Sequence, residues 1–183
     1  PIQARINLAA LRHNYLIAKK QASVHHPAAK AWAVLKADAY GHGLLRTANA
    51  LSGLADGFAL LDLDDAVALR EAGIRQPILL LEGFFDADDL AACLKHRITP
   101  CVHNFSQLHT IALELTKRPL PANSLPIYVK LNTGMNRLGF RPAQLAAVLE
   151  RLRRLGTREV TLLTHFAEAD GGRGIEAQLD CFS

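Results

Sequence analysis

The sequence is poor in cysteine, tryptophan and long apolar runs, and each shortage excludes a class of protein. Its 183 residues include three cysteines and one tryptophan. Three widely spaced cysteines are too few for a disulfide framework or a zinc knuckle. We therefore expect Cys93, Cys101 and Cys181 to be reduced core residues of a cytoplasmic protein. No apolar run approaches the roughly 18 residues of a spanning helix, and residues 1–20 lack the apolar region of a signal peptide, so no membrane partner is expected.

Charge of either sign is also not in large excess. Lysine and arginine number 21 against 17 acidic residues, which gives a formal net charge of +4. The basic residues are scattered, except for a group formed by Arg151, Arg153, Arg154 and Arg158. This group is too small to predict nucleic-acid binding. Because half of the residues are hydrophobic, we expect one globular domain with a substantial core and no metal site.

Six short apolar runs predict six buried strands. They are continuous rather than alternating, which is typical of parallel strands covered on both faces. The runs are Ala31–Leu35, Gly57–Leu61, Pro77–Leu81, Ile98–Val102, Pro126–Leu131 and Val160–Thr164.

Helical patterns lie between the runs, and a first helix is predicted over Leu8–Ser23. Two further helices are predicted over Asn104–Lys117 and Pro142–Leu155, each with an apolar stripe. Their starts and ends carry typical capping residues. The expected N-terminal residues are Asp62, Asp86, Asn104 and Pro142, and the expected C-terminal glycines are Gly73 and Gly156.

Six successive strand–helix units without hairpin signals predict an α/β fold with a parallel sheet. A doubly wound sheet and a (β/α)8 TIM barrel both fit this order, and we favour an incomplete barrel of about six units. In this division residues 1–30 form a leading strand and helix, and residues 31–183 form the barrel units. Polar residues follow every run, as expected where a barrel gathers its active site. They are Lys36, Asp62, Glu82, His103, Asn132 and His165.

Lys36 is the strongest candidate for chemistry because it stands where a buried strand ends. Partial burial disfavours the ammonium and leaves more neutral amine to attack a carbonyl, as a Schiff-base lysine requires. A lysine at a strand end is more often paired or extended to solvent than catalytic. Spacing alone therefore leaves both interpretations open.

Three motifs in the same order resemble those of alanine racemases. They are AVLKADAYGHG at Ala33–Gly43, KLNTGMNRLGF at Lys130–Phe140 and THFAEAD at Thr164–Asp170. The opening INLAALRHNY is also similar to the first segment of that family. The resemblance covers nearly the whole chain and implies a barrel domain that binds pyridoxal 5′-phosphate (PLP). In the family a β-rich C-terminal domain follows, and no such domain is expected within residues 1–183.

The resemblance also implies roles for individual residues. Lys36 matches the Schiff-base lysine that exchanges the Cα proton on one face of the substrate. Tyr40 matches the tyrosine that holds the phosphate, and Arg137 matches the arginine that contacts the phenolic oxygen of the cofactor and the substrate carboxylate. Lys130 matches a lysine that is carbamylated in some members. His165 matches the histidine that packs against the pyridine ring. His42 is expected to shape the turn between Gly41 and Gly43.

Two family features have no match in this sequence. The second base is a tyrosine from the C-terminal domain of the partner subunit, and neither Tyr15 nor Tyr128 stands where it could replace that residue. The arginine that faces the pyridine nitrogen would also lie beyond Ser183. The glycines at 171, 172 and 174 lack P-loop spacing, and we assign them no role.

The function that the resemblance implies is two-base interconversion of L-alanine and D-alanine, which supplies D-alanine for peptidoglycan, by a homodimer with shared sites. A polypeptide that ends at Ser183 is expected to be nearly inactive because it carries one of the two bases. Three alternatives stay open: a PLP carrier without turnover, another PLP barrel enzyme such as an amino-acid decarboxylase, and a doubly wound binding module.

Overall fold

The computed structural model describes residues 2–117, 125–157 and 159–183. The chain divides into two compact units, Pro1–Leu81 with His96–Ile98, and Glu82–Lys95 with Thr99–Ser183. Arg158 of the predicted basic group lies outside the described residues. Among the helices that the structure describes, none is both long and apolar enough to cross a bilayer.

The first unit alternates strands and helices as the sequence predicts. Its strands pair in parallel in chain order, so that Trp32 lies opposite Gly57 and Phe58 opposite Ile78. Gly57 is required at its position because a Cβ there would lie 2.5 Å from the Trp32 ring. The elements are α1 (Leu8–Ser23), β1 (Trp32–Val34), α2 (Lys36–Gly41), α3 (Leu44–Leu51), β2 (Gly57–Leu60), α4 (Leu63–Glu71) and β3 (Ile78–Leu80).

The second unit repeats this alternation. Its three strands are also parallel, with Val102 opposite Val129 and Lys130 opposite Leu163. Helices α6 and α7 pack on this sheet through Leu108, Val148 and Leu152, which are all buried. The elements are α5 (Ala87–His96), β4 (Thr99–Val102), α6 (Phe105–Lys117), β5 (Ile127–Lys130), a 3₁₀ turn (Pro142–Gln144), α7 (Leu145–Arg154), β6 (Val160–Leu163) and α8 (Glu176–Phe182).

The predicted helix ends are confirmed by their hydrogen bonds. Asp62 accepts from the amides of Asp64 and Asp65 at the start of α4. Asp86 and Asn104 cap the helices that follow them in the same way. The glycines predicted to end two helices have positive φ, +87° at Gly73 and +81° at Gly156. One boundary differs, because the helix predicted from Pro142 begins with a 3₁₀ turn and becomes α-helical at Leu145.

Two strands are less buried than predicted, and one predicted strand is not formed within the described residues. The strands β2 and β3 are fully buried, but Val34 of β1 is exposed and β6 is mainly half-buried. In the part of the chain that is described, β6 pairs with β5 and β1 with β2, and each therefore has one strand partner. The predicted leading strand is not formed within residues 2–30, where α1 is the regular element.

The cysteines are core residues in two of three cases. Cys93 and Cys101 are buried, and burial raises the pKa of each thiol to about 12. Cys181 is exposed, so its prediction as a core residue is wrong. The reason is that α8 is short and buries one of its residues, Gln178.

The arginines of α7 form ion pairs and a ring contact with neighbouring side chains. Arg153 and Arg154 both pair with Glu150 at 2.9 and 2.8 Å, and these bonds lower the pKa of that carboxyl to about 2. The guanidinium of Arg151 lies 5.0 Å from the centre of the Phe105 ring. These contacts partly neutralise the positive charge at the end of this helix.

Candidate active site

The first group of candidate residues lies at the end of β1. The amide of Leu35 donates to the carbonyl of Ala59 at 2.8 Å, which continues the sheet for one residue beyond the strand. Lys36 follows at once and is half-buried, as the sequence predicts. Its Nζ lies 5.8 Å from the centre of the Tyr40 ring, so the amine and the phenol lie on the same side of the turn that joins them.

The turn that joins Lys36 to Tyr40, labelled α2 above, has a left-handed backbone. The four residues Ala37–Tyr40 have φ of 53–54°, and Gly41 and Gly43 also have positive φ. A left-handed conformation costs roughly 1–2 kcal/mol per L-residue because Cβ approaches the following carbonyl oxygen. The turn therefore depends on its surroundings to keep its shape.

Two polar side chains hold this turn. The carboxylate of Asp38 accepts from the amide of Leu44 at 2.6 Å, where α3 begins. The imidazole Nδ1 of His42 lies 3.0 Å from the carbonyl oxygen of Ala39 and 3.2 Å from that of Tyr40. The expectation that His42 shapes the turn is thus supported by the contacts of its ring.

A cavity of about 320 Å³ lies beside the turn. The Tyr40 side chain, which is 60% exposed, forms part of its wall, together with residues of α1, β1 and α3. The hydroxyl of Thr47 is buried in this wall and has no hydrogen-bond partner among the described residues.

A second group of candidate residues follows β5, in the second unit. Lys130 is the last residue of this strand and is 5% exposed. The chain then forms a loop over 132–139 and returns to the strand, where Phe140 donates to the Lys130 carbonyl at 2.9 Å and accepts from the Asn132 amide at 2.8 Å. Gly139 permits this return because a Cβ there would lie 2.7 Å from the Asn132 nitrogen.

Asparagine side chains organise the loop that carries Arg137. Asn132 accepts from the amides of Gly134 and Asn136 at 3.1 and 3.0 Å, and its own amide donates to the side chain of Asn136. Asn136 is left-handed, with φ of 60°. Arg137 is exposed on this ordered loop, where an anion can reach its guanidinium.

The loop is joined to the end of β6, which carries His165. The hydroxyls of Thr133 and Thr164 lie 2.7 Å apart, and Thr164 also donates to the carbonyl of Leu131. His165 is exposed, and its carbonyl accepts from the side-chain amide of Gln178 at 3.2 Å. The same side chain accepts from the amide of Ala167 at 2.8 Å.

The remaining polar residues at strand ends have structural roles. Asp62 caps α4, as described above. His103 donates from Nε2 to the carbonyl of Glu82 at 3.0 Å. The buried side chain of Gln107 accepts from the His103 amide and donates to the carbonyls of Glu82 and Phe84, which joins the ends of two strands. These bonds satisfy backbone groups where loops begin.

Comparison with known proteins decides the family. The family profile described as "Alanine racemase, N-terminal domain" matches residues 6–183. The chain belongs to the alanine racemase family. Its sequence is 50% identical to an alanine racemase of Nitrosospira multiformis and 48% identical to one of Cupriavidus metallidurans, over its full length in both cases.

A solved alanine racemase has the same fold. The biosynthetic enzyme of Pseudomonas aeruginosa superposes with a TM-score of 0.84 and 39% identity over 97% of the chain. The prediction of an incomplete β/α barrel is therefore confirmed, and the doubly wound alternative is excluded. The chain spans about half the length of these alanine racemases, 50% and 47% of the two curated relatives and 48% of the solved chain.

Sequence reasoning missed several residues that support the alanine racemase motifs. Asp38, Gln107 and Gln178 bind backbone groups near predicted site residues, and the Thr133 hydroxyl is hydrogen-bonded to that of Thr164. A signal was present for Asp38, since aspartate tolerates positive φ and often caps a following helix. Gln107 and Gln178 gave no such signal. Apart from the His103 amide, the backbone groups that their side chains bind lie 11 or more residues away in the sequence.

Proposed function

We propose that the full-length protein is a PLP-dependent alanine racemase that interconverts L-alanine and D-alanine. The observation that carries the proposal is Lys36, a half-buried amine at the end of β1, held by a strained turn beside Tyr40. The substrate is inferred from two relatives, alanine racemases that are 50% and 48% identical to this chain. The D-alanine would serve peptidoglycan synthesis, and the enzyme would act in the cytoplasm as a homodimer.

The described residues fit PLP in their chemistry. An aldehyde cofactor needs an amine that is not fully hydrated, and its phosphate and phenolate need hydrogen-bond donors and cations. Lys36 supplies the amine, Tyr40 an exposed hydroxyl, and Arg137 an exposed guanidinium. Thr47 also lines the cavity that Tyr40 borders, and its buried hydroxyl has no hydrogen-bond partner among the described residues.

Each residue then has a defined task. Bound PLP supplies an electron sink that makes the Cα–H bond of an attached amino acid acidic. Lys36 holds the cofactor, and its freed amine would exchange the Cα proton on one face of the substrate. Arg137 would bind the substrate carboxylate through its planar fork of donors, and His165 would pack against the pyridine ring. A second proton-exchanging group would serve the opposite face of the substrate.

Lys36 is tested by reduction of the full-length protein with borohydride in the presence of PLP, followed by peptide mapping. We expect the label on Lys36 and its loss in Lys36→Ala. Lys20→Ala is the matched control, because Lys20 is an exposed lysine in the last turn of α1. A label on another lysine, or no label, would contradict the assignment.

The same preparations separate the alternatives. A lysine-bound PLP without alanine interconversion would favour a carrier protein, and release of carbon dioxide from an amino acid would favour a decarboxylase. Conversion of either alanine enantiomer to an equal mixture of both is the outcome that the proposal requires.

Lys130 is proposed to carry a carbamate that orients Arg137. Lys130 is 5% exposed at the end of β5, and a carbamate on its Nζ would be an anion suited to a guanidinium. Native mass spectrometry in bicarbonate buffer should show a mass increment of one carbon dioxide, absent from Lys130→Ala. An unmodified amine under these conditions would refute the carbamate.

A further inference from the structure

The left-handed turn Ala37–Tyr40 needs a residue that holds it, and we propose that Asp38 is that residue. Asp38 is inferred to be a positioning residue, which keeps the Lys36 amine and the Tyr40 side chain close together for PLP to bind. The inference rests on the proposed function, because it concerns the same cofactor. It adds a residue to which the family resemblance gave no role.

The backbone of the turn is strained along its whole length. Four successive residues with a Cβ adopt φ of 53–54°, and one of them is the bulky Tyr40. Conformations of this kind persist where the surrounding structure over-determines them, and they cluster at functional sites. Without such support the segment would relax to right-handed or extended backbone.

Asp38 supplies two of the bonds that support the turn. Its carboxylate accepts from the Leu44 amide at 2.6 Å, and its carbonyl accepts from the Gly43 amide at 2.9 Å. Both donors lie where α3 starts, and a negative charge is favoured at a helix N-terminus. Aspartate is also one of the residues that tolerate positive φ. Asp38 thus ties the strained turn to a regular helix.

The turn determines how far apart the two reactive groups stand. Lys36 directly precedes the turn, and Tyr40 is the last of its four left-handed residues. The Lys36 Nζ lies 5.8 Å from the centre of the Tyr40 ring. If the four residues became extended, their span would reach roughly 13 Å. The amine and the hydroxyl would then no longer face one small ligand together, and affinity for PLP would fall.

The test is PLP titration of the full-length protein, followed by the visible absorbance of the lysine–PLP adduct. Asp38→Ala should weaken PLP affinity about tenfold, the order expected for loss of a capping oxygen. Asp38→Asn keeps an acceptor oxygen in the same place and should stay within about twofold of the unmodified protein. Ala37→Gly, added to Asp38→Ala, should restore most of the affinity, because glycine adopts positive φ without strain.

The matched control is Asp86→Ala, which removes an exposed aspartate that caps α5. Asp86→Ala should leave PLP affinity unchanged but lower the thermal stability of the protein as much as Asp38→Ala does. Equal affinity of Asp38→Ala and the unmodified protein would overturn the inference. The inference would also be overturned if Asp38→Asn bound PLP as weakly as Asp38→Ala, or if Ala37→Gly failed to restore the affinity of Asp38→Ala. Absence of a PLP adduct on Lys36 in the unmodified protein would instead refute the proposed function.

Discussion

At the scale of single residues, position relative to a strand end matters more than residue type. Lys36 and Lys130 both stand at strand ends, yet the first is half-buried beside Tyr40 and the second is 5% exposed. His103 and Asp62 also stand at strand ends, but their side chains bind neighbouring backbone groups. The sequence predicts where such residues occur, whereas their packing separates a reactive group from a structural one.

The titration of His103 belongs to this scale. Burial lowers its pKa below the usual value, an effect opposed by the hydrogen bond to the Glu82 carbonyl and increased by the charge of Lys130. The folded protein therefore favours the neutral ring, and the unfolded chain binds more protons once the pH falls below the unfolded pKa of about 6.5. This stabilising contribution is present above that pH and is lost as the pH falls towards the folded pKa.

We therefore expect the urea midpoint to fall more steeply on acidification in the unmodified protein than in His103→Gln. Measurements at about pH 7.5 and about pH 5.5 bracket the histidine range. The other seven of the eight histidines are common to both proteins, so the difference isolates residue 103. Identical slopes for the two proteins would show that His103 does not titrate differently on folding.

At the scale of elements, the loop that carries Arg137 returns to its own strand. The loop 132–139 leaves β5 and pairs with it again through Phe140, and Asn132 fills its interior with hydrogen bonds. The sequence shows the glycines and asparagines of this loop but not its return to the strand. That return depends on a close backbone approach at Gly139.

Gly139→Ala should disturb this loop. Gly139 has φ of +121°, and a Cβ would lie 2.7 Å from the Asn132 nitrogen and 2.8 Å from the Leu131 carbonyl carbon. We expect a loss of roughly 1–3 kcal/mol in the free energy of unfolding. Arg137, the proposed ligand of the substrate carboxylate, lies on this loop. The KM for alanine in the full-length protein should therefore rise.

Gly172→Ala provides the comparison, because no atom lies within 4 Å of a Cβ there and its φ is not in the left-handed range. Chemical denaturation and steady-state kinetics of both variants separate the two effects. If Gly139→Ala matched Gly172→Ala in stability and KM, the loop would not need the close approach.

At the scale of the whole molecule, the chain spans about half of the alanine racemases that it matches. Inversion at Cα needs two proton-exchanging groups on opposite faces, and the residues proposed here supply one. Holding PLP and completing the reaction can therefore be separated by experiment.

We expect the polypeptide 1–183, supplied with PLP, to show no measurable interconversion of L-alanine and D-alanine. The full-length protein should interconvert them under the same conditions. Borohydride labelling of Lys36 in the shorter polypeptide provides the internal control that its lysine is intact. Racemisation by the labelling-competent short polypeptide would show that it contains a second base.

The sequence by itself determined the order of strands and helices, the helix caps and the family, because these depend on local periodicity, capping chemistry and ordered motifs. Six strands and the first helix lie within one or two residues of their predicted bounds. Only the tertiary structure decided that Ala37–Tyr40 is left-handed, that Cys181 is exposed, and that Gln107 and Gln178 hold the ends of strands. These features depend on backbone groups brought together by folding, and such encounters leave little trace in local sequence.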